Sequence, residues 1–216
     1  MSFVWETLSE PWRACVEQAW EAYRTGSLPI GAVVADAEGH ILSAGRNRIH
    51  ERTGPPGTVF GRKLGHAELN ALLLLEGEDN PRARVLYTTT EPCPLCVGAA
   101  RMADVRGLSY ASREPWAGSA AMFETVPYLR RANLGLMGPE DRQFEAVLVT
   151  LLVERYLSLQ PKVLPSFLKL YEEVMPQATR AAHDVLASGL LQTMDAEDVS
   201  AREMVLALNR QISLPA

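Results

Sequence analysis

Apolar and polar positions follow two periods along the first 158 residues, and each period predicts one kind of element. Short apolar runs bounded by turn residues predict strands, and these runs lie at residues 29–36, 40–46, 83–89, 107–111 and 132–138. Apolar residues at helical intervals predict helices, and these segments lie at residues 10–25, 66–77, 94–104 and 140–158. Strands that alternate with helices predict an α/β fold, a three-layer α/β/α sandwich around a central mixed sheet of about five strands.

One long connection interrupts this alternation. Residues 49–65 are rich in glycine and proline and contain no periodic stretch of their own. A connection of this length inside a compact domain is usually functional. We therefore predict that residues 49–65 and the segment around Trp116 close over a bound ligand.

The C-terminal part of the chain has a different pattern. Prolines at 161 and 165 mark a break, after which apolar stripes predict further helices, with an interruption at Pro176. We divide the chain into a domain at 1–159 and a helical C-terminal extension at 160–216. The stripe from Leu164 to Leu186 is too apolar for a solvated tail, so we expect it to have a structural role and to pack on the domain or on a neighbouring subunit. The alternative is that these helices cover a ligand pocket and contribute to its specificity.

Composition is typical of a soluble enzyme. The chain has 216 residues, of which 47% are apolar, which is enough for one domain with an extension. Its three cysteines offer no disulfide framework, which favours a reducing compartment and a cytoplasmic location. No apolar run approaches the ~20 residues that cross a bilayer, and the N-terminus lacks the pattern of a signal peptide.

The charge of the chain indicates which binding partners are expected. The net charge of −5 disfavours a large contact with a nucleic-acid backbone. A local group of basic residues precedes the motifs described next, at Arg46, Arg48, Arg52, Arg62 and Lys63. These residues either lie on a solvated loop or line a pocket entrance that attracts an anion such as one phosphate. The sequence leaves both interpretations open.

Two short motifs carry the candidate chemistry: His-Ala-Glu at residues 66–68 and Pro-Cys-Pro-Leu-Cys at residues 92–96. His66, Cys93 and Cys96 offer one imidazole and two thiols. Three protein ligands suit a catalytic zinc, because a structural zinc is usually closed by a fourth ligand. Such a zinc lowers the pKa of a bound water from about 15.7 toward 7. Glu68, two positions after the histidine, is then placed to move the protons of that water.

Other interpretations of the two cysteines remain. A Cys-x-x-Cys pair is also found in redox sites, although that would leave the histidine and Glu68 unexplained. A closed structural zinc needs a fourth ligand, and the remaining candidates are Cys15, His40, His50 and His183. None of these four lies at ligand spacing from another, which favours the catalytic interpretation.

The two motifs resemble those of the cytidine deaminase-like superfamily, in which His-x-Glu is followed by Pro-Cys-x-x-Cys. The resemblance extends to residues 28–34 and 45–48 and covers roughly residues 5–158. The form Glu-Pro-Cys-x-x-Cys-x-Gly-Ala is closest to the branch of guanine deaminases, tRNA adenosine deaminases and fungal-type cytosine deaminases. The form His-Ala-Glu-x-Asn-Ala is also similar to deoxycytidylate deaminases.

The resemblance implies roles for individual residues. It implies a Zn²⁺ cofactor held by the three ligands, with Glu68 as the catalytic proton carrier. It also implies that Asn47 binds the base and that the backbone N–H groups of Ala67 and Cys93 contact ring atoms. Trp116 occupies the place of a pocket-lining loop, where it either stacks on a base, worth roughly 1–3 kcal/mol, or packs on the core as an ordinary loop tryptophan.

These implications predict a zinc-dependent hydrolase that acts on a cyclic amidine. It is expected to convert an amino-bearing nucleobase, nucleoside or nucleotide to its keto form plus ammonia, to use no membrane partner, and to form a homo-oligomer, a dimer, as related enzymes do. A first alternative is a tRNA adenosine deaminase, whose mark would be a continuous basic surface at the pocket mouth. A second is a deaminase-fold binding protein without turnover, against which the complete ligand set and Glu68 count.

Overall fold

The computed structural model describes residues 5–75 and 84–214. Its centre is a sheet of five strands: β1 (Gly31–Ala35), β2 (Ile41–Arg46), β3 (Val85–Thr88), β4 (Gly107–Tyr110) and β5 (Gly135–Met137). The strand order is β2-β1-β3-β4-β5. β1 pairs antiparallel with β2 and β3, whereas the pairs β3–β4 and β4–β5 are parallel. The predicted mixed sheet is therefore confirmed.

Helices cover both faces of this sheet. The helices of the first part are α1 (Glu10–Arg24), α2 (Ala67–Leu73), α3 (Pro94–Met102), α4 (Met122–Thr125), α5 (Pro127–Arg130) and α6 (Arg142–Leu159). The helices of the C-terminal extension are α7 (Leu164–Val174), α8 (Pro176–Ser188), α9 (Leu190–Ala196) and α10 (Ala201–Gln211). The molecule is the expected α/β/α sandwich with an added helical region.

The central strand β1 separates two apolar clusters. All five of its residues are buried, and successive side chains point to opposite faces of a sheet. Val33 packs in a cluster with side chains of α1 and α6, such as Trp12 and Phe144. Ala32 and Val34 pack in the other cluster, with side chains of α2 and α3. An apolar run without polar alternation is thus what a strand covered on both faces requires.

The extension packs against the sandwich of its own chain. Phe167 and Tyr171 of α7 and Ala182 of α8 are buried in the cluster that also contains α1 and α6. The apolar stripe predicted from Leu164 to Leu186 therefore finds its partner surface within the same chain. Of the two partners expected for this stripe, the structure shows the domain of the same chain.

Several boundaries differ from the predicted ones. The helix predicted at 66–77 ends at Leu73, and its predicted stop at Gly77 lies outside the described residues. The strand predicted at 132–138 contains only Gly135–Met137. α4, α5 and α9 were not predicted, because elements of four to seven residues are too short to show a helical period. The predicted break at Pro176 is confirmed, since α7 ends at Val174 and Pro176 begins α8.

A membrane-crossing helix would have to be both long and apolar. Within residues 5–75 and 84–214, no helix meets both conditions.

Candidate active site

Two helix N-termini bring the motif residues together. His66 is the N-cap of α2, and Cys93 is the N-cap of α3, each with extended backbone angles. Cys96 lies one helical turn after Cys93, and Pro94 occupies the first helical position, where its missing N–H costs no hydrogen bond. Because the N-terminus of a helix carries partial positive charge, both ends favour anionic side chains such as thiolates.

The three candidate ligand atoms form a small triangle. His66 Nδ1 lies 3.5 Å from Cys93 Sγ and 3.5 Å from Cys96 Sγ, and the two sulfur atoms are 3.6 Å apart. A tetrahedral zinc with Zn–S of about 2.3 Å and Zn–N of about 2.0 Å places its ligand atoms about 3.5–3.8 Å apart. The triangle therefore fits one zinc ion. Among the described residues, this cluster contains no fourth His, Cys, Asp or Glu side chain.

The electrostatics of the triangle agree with metal binding. The neighbouring Cys96 thiol, with help from His66, lowers the pKa of Cys93 to about 4. A thiolate is the form of cysteine that binds metals. Cys15, one of the candidate fourth ligands, is fully buried in the apolar cluster on the α1 side of the sheet.

Glu68 stands beside the triangle in the first turn of α2. Its side chain is only 3% exposed, and burial raises its pKa above the usual range for a glutamate. Together with His66 and Cys93 it lines a cavity of about 190 Å³. This volume lies below the ~300–1,000 Å³ typical of drug-sized ligands, so the cavity suits a small ring system.

The rest of the cavity wall comes from distant parts of the chain. Its remaining described lining residues are Leu28, Ile30, Asn47, Thr90, Glu91, Glu114, Trp116, Ala117, Leu152, Tyr156 and Phe167. The wall combines apolar and aromatic side chains with a few polar groups at one end, the composition usual for a pocket that holds a flat organic ligand.

Comparison with known proteins is consistent with this geometry. Residues 6–112 match the family described as the cytidine and deoxycytidylate deaminase zinc-binding region, a segment that contains all three candidate ligands and Glu68. Residues 6–112 belong to this family. The resemblance noted from the sequence is therefore confirmed.

The proteins that are similar to part of this chain differ in name and in length. A tRNA(Ile)-lysidine synthase of Deinococcus radiodurans is 36% identical over 104 residues, which are 47% of this chain and 16% of that protein. A tRNA-specific adenosine deaminase of Bacillus subtilis is 28% identical over 126 residues, 56% of this chain and 71% of that protein. The chain thus spans only about a sixth of the first of these relatives.

A solved structure supports the fold of the deaminase domain. The structure of NE0047 in complex with 2,6-diaminopurine aligns with a TM-score of 0.50 at 23% identity. The alignment covers 69% of this chain and 83% of that one. At this identity the likeness concerns the fold alone.

Three of the residues predicted to contact substrate differ in their burial and in whether they line the cavity. Asn47 is 2% exposed and lines the cavity, with its Oδ1 accepting a hydrogen bond from the Ile49 N–H at 3.2 Å. Trp116 also lines the cavity and is 42% exposed, which argues against the alternative of a tryptophan packed in the core. The side chain of Ala67 is buried in the α2–α3 cluster, so a contact through its backbone N–H stays a prediction.

The loop at 49–65 lies beside α2. None of its residues contributes to the cavity wall in this structure. The side-chain amide of Asn70 on α2 accepts a hydrogen bond from Val59 N at 2.7 Å and donates one to Val59 O at 3.1 Å. These bonds hold the loop against α2. Closure of the loop over a bound ligand stays a prediction.

The basic residues before the motifs also have structural partners. Arg46 Nε donates to Glu51 Oε1 at 2.9 Å, and Arg48 pairs with the other oxygen of the same buried carboxylate. Two of the five basic residues that could attract a phosphate, Arg46 and Arg48, are therefore paired with Glu51 instead. Arg52, Arg62 and Lys63 are exposed.

Sequence reasoning missed several residues of the cavity wall. Tyr156 and Phe167 were predicted only as members of buried helical stripes, and Glu114 and Thr90 were given no role. A stripe shows which face of a helix is buried but not which part of that face meets a pocket. Such residues are assigned only when the packing of distant segments is known.

Proposed function

We propose that this protein is a zinc-dependent hydrolytic deaminase that converts an amino-bearing nucleobase, nucleoside or nucleotide to its keto form with release of ammonia. The observation that carries the proposal is the zinc-sized triangle of His66, Cys93 and Cys96 beside a buried carboxylate in a cavity of about 190 Å³. Three ligands leave a coordination position open, which is the property of a catalytic zinc site.

Each residue has a distinct task in this proposal. His66, Cys93 and Cys96 would hold the metal, which when bound supplies Lewis-acid activation of water at neutral pH. Glu68 takes a proton from the attacking water and delivers it to the ring nitrogen. It then transfers the second proton to the amine, so that nitrogen leaves as neutral ammonia. Burial of Glu68 keeps bulk water from competing for these protons.

Other residues would bind and orient the base. The amide of Asn47, itself oriented by its bond to the Ile49 N–H, is placed to pair with a polar edge of the ring. The indole of Trp116 would stack on the ring face. The backbone N–H of Ala67 would contact a ring atom near the reacting carbon.

The charges of the cavity favour an uncharged substrate. Among the described residues that line it, carboxylates come from Glu68, Glu91 and Glu114, and no lysine or arginine is present. A phosphate inside this wall would meet like charge without a cation to pair with. We therefore expect a free base or a nucleoside to be a better substrate than a nucleotide.

Measurement of released ammonia tests the proposal. The zinc-loaded protein is incubated with a panel of aminated bases, nucleosides and nucleotides, and Glu68→Gln serves as the matched variant that keeps the shape of the site. Ammonia from at least one uncharged member, and none above background from the variant, is expected. If the zinc-loaded protein releases no ammonia from any member, the proposal is wrong.

A second candidate is a tRNA adenosine deaminase. The similarity to the tRNA-specific adenosine deaminase of Bacillus subtilis, over 56% of this chain, favours it, whereas the net charge of −5 speaks against it. Conversion of adenosine within whole tRNA, with free adenosine left unchanged, would identify this candidate. Tight binding of a panel member without turnover would instead identify a binding protein of the same fold.

Assembly and location stay predictions. We expect a homo-oligomer, a dimer, and several exposed apolar side chains are available for one, among them Leu64 at 55% and Met102 at 72% exposure. All three cysteines are free, in agreement with the expected cytoplasmic location. Light scattering at micromolar concentration measures the assembly.

A further inference from the structure

The C-terminal extension reaches the candidate active site through α7. Phe167 lines the cavity although it lies a hundred residues after His66 in the chain, and it is 1% exposed. Its ring stacks on that of Tyr156 from α6, with centroids 3.9 Å apart and an interplanar angle of 14°. Both aromatic side chains belong to the wall. Together they give the wall an aromatic surface contributed by α6 and α7.

Tyr171 connects the same helix to the loop that carries Trp116. Its hydroxyl donates a hydrogen bond to Glu114 Oε1 at 2.9 Å, and its side chain is fully buried. Glu114 also accepts hydrogen bonds from the backbone N–H groups of Trp116, at 3.0 Å, and Ala117, at 2.7 Å. One carboxylate thus joins α7 to the two loop residues that line the cavity.

The carboxylate needs these bonds because burial disfavours its charge. Desolvation raises the pKa of Glu114, and a buried carboxylate stays ionised only where donors surround it. Within the part of the chain that the structure describes, Tyr171 is the side-chain donor to Glu114, beside the two backbone N–H groups. Loss of that donor would weaken the hold of Glu114 on the loop.

We propose that α7 is a specificity-determining part of the active site, in which Phe167 limits the space for the substrate ring and Tyr171 is a positioning residue that fixes the Trp116 loop through Glu114. The occupant is the ring of an uncharged aminated base. The identity of this occupant rests on the proposed function, whereas the link from Tyr171 to the loop does not.

Hydrogen exchange tests the link without any substrate. Tyr171→Phe keeps the ring and removes only the donor, so the amides of Trp116 and Ala117 should exchange about tenfold faster, the low end for a lost hydrogen bond to a charged group. Met204→Ala is the matched control, since Met204 is equally buried in α10 of the extension but does not line the cavity. Unchanged exchange in Tyr171→Phe would overturn the positioning role.

Kinetics with the best substrate of the panel test the consequence. Tyr171→Phe should raise KM about tenfold with little change in kcat, because stacking by Trp116 holds substrate and transition state alike. Phe167→Ala should shift the ratio of kcat/KM between purine and pyrimidine substrates at least tenfold toward the larger ring. Met204→Ala should lower stability and leave both parameters unchanged. Equal effects of all three variants would overturn the specificity role.

The two proposals fail in different ways. If the wild-type protein releases no ammonia, the proposed function is wrong. The effect of Phe167→Ala on selectivity is then measured as the calorimetric affinity for purine and pyrimidine members of the same panel. The exchange experiment decides the role of Tyr171 in either case.

Thr90 supports a second, independent inference. It is 6% exposed, lines the cavity, and its Oγ1 has no hydrogen-bond partner among the described residues. A buried hydroxyl without a partner is unfavourable, and such groups often mark a ligand contact. We propose that the Thr90 hydroxyl hydrogen-bonds a polar atom of the bound base.

The neighbouring Thr88 provides a matched control. It is fully buried, its Oγ1 also has no partner in the described part of the chain, and it does not line the cavity. In the Glu68→Gln background, where binding is separated from turnover, Thr90→Val should weaken calorimetric binding of the best panel member about tenfold. Thr90→Ser should restore it, and Thr88→Val should not change it. Equal affinity in Thr90→Val and Thr88→Val would overturn this assignment.

Discussion

At the scale of single residues, the candidate site depends on short-range geometry. His66 and Cys93 are both N-caps, so each side chain stands at the open end of a helix. Cys96 follows by one turn, and Glu68 enters the first turn of α2 behind its neighbouring ligand. Spacing within each motif accounts for the local placement of these side chains. His66 lies 27 residues before Cys93, so their meeting in one triangle was predicted from the resemblance of the paired motifs.

The first residue-scale prediction concerns Glu68. Glu68→Gln keeps the size of the side chain and removes its ability to accept a proton, so turnover should fall by ~10²–10⁴. Zinc content, measured by elemental analysis, should stay at the wild-type level because the ligands are unchanged. A variant with near-native turnover would show that another group carries the protons.

The second residue-scale prediction concerns the metal. We expect one zinc per chain in the purified protein, and its loss in Cys96→Ala, because two remaining ligands bind zinc far more weakly than three. Cys15→Ala is the control, since Cys15 is buried on the other side of the sheet and should not affect zinc content. Full zinc occupancy in Cys96→Ala would contradict the assignment of the three ligands.

At the scale of elements, the order of strands and helices through residue 159 follows the predicted one, apart from the short helices α4 and α5 between β4 and β5. Apolar positions at helical intervals predict α1 and α6, and an uninterrupted apolar run predicts the buried strand β1. The sequence does not predict that Phe167 reaches the cavity or that Asn70 holds the loop at 49–65. Those contacts join residues that are distant in the chain, and only the assembled packing creates them.

The element-scale prediction compares two glycines. A Cβ at Gly31 on β1 would lie 2.0 Å from the carbonyl oxygen of Cys15 on α1, and the backbone there has no room to shift. Gly31→Ala should therefore destabilise the protein by ~3 kcal/mol or more. Gly98 in α3 has open space around the same position, so Gly98→Ala should stabilise by ~0.5–1 kcal/mol. Urea unfolding measures both, and similar values for the two would refute the close approach of α1 to β1.

At the scale of the whole molecule, one apolar cluster joins the sandwich to the extension. It contains side chains of α1, α6, α7, α8 and α10. α6 is buried around most of its circumference, with α8 packed along it. Its buried Glu154 accepts a hydrogen bond from Gln192 of α9 at 2.9 Å. The sandwich and the extension therefore share a core.

The whole-molecule prediction concerns truncation after Gln160. Removal of α7–α10 would expose Thr150, whose hydroxyl donates to Ala178 O of α8 at 3.2 Å, and the buried carboxylate of Glu154, which accepts from Gln192 of α9. We expect the truncated chain to be insoluble or unfolded, as judged by the soluble fraction and by circular dichroism. Met204→Ala provides the graded comparison, because loss of one buried side chain should cost ~2–5 kcal/mol and leave the protein folded. A soluble truncated chain with a cooperative thermal transition would show instead that the sandwich folds alone, and any altered substrate preference it had would then be assigned to the missing α7.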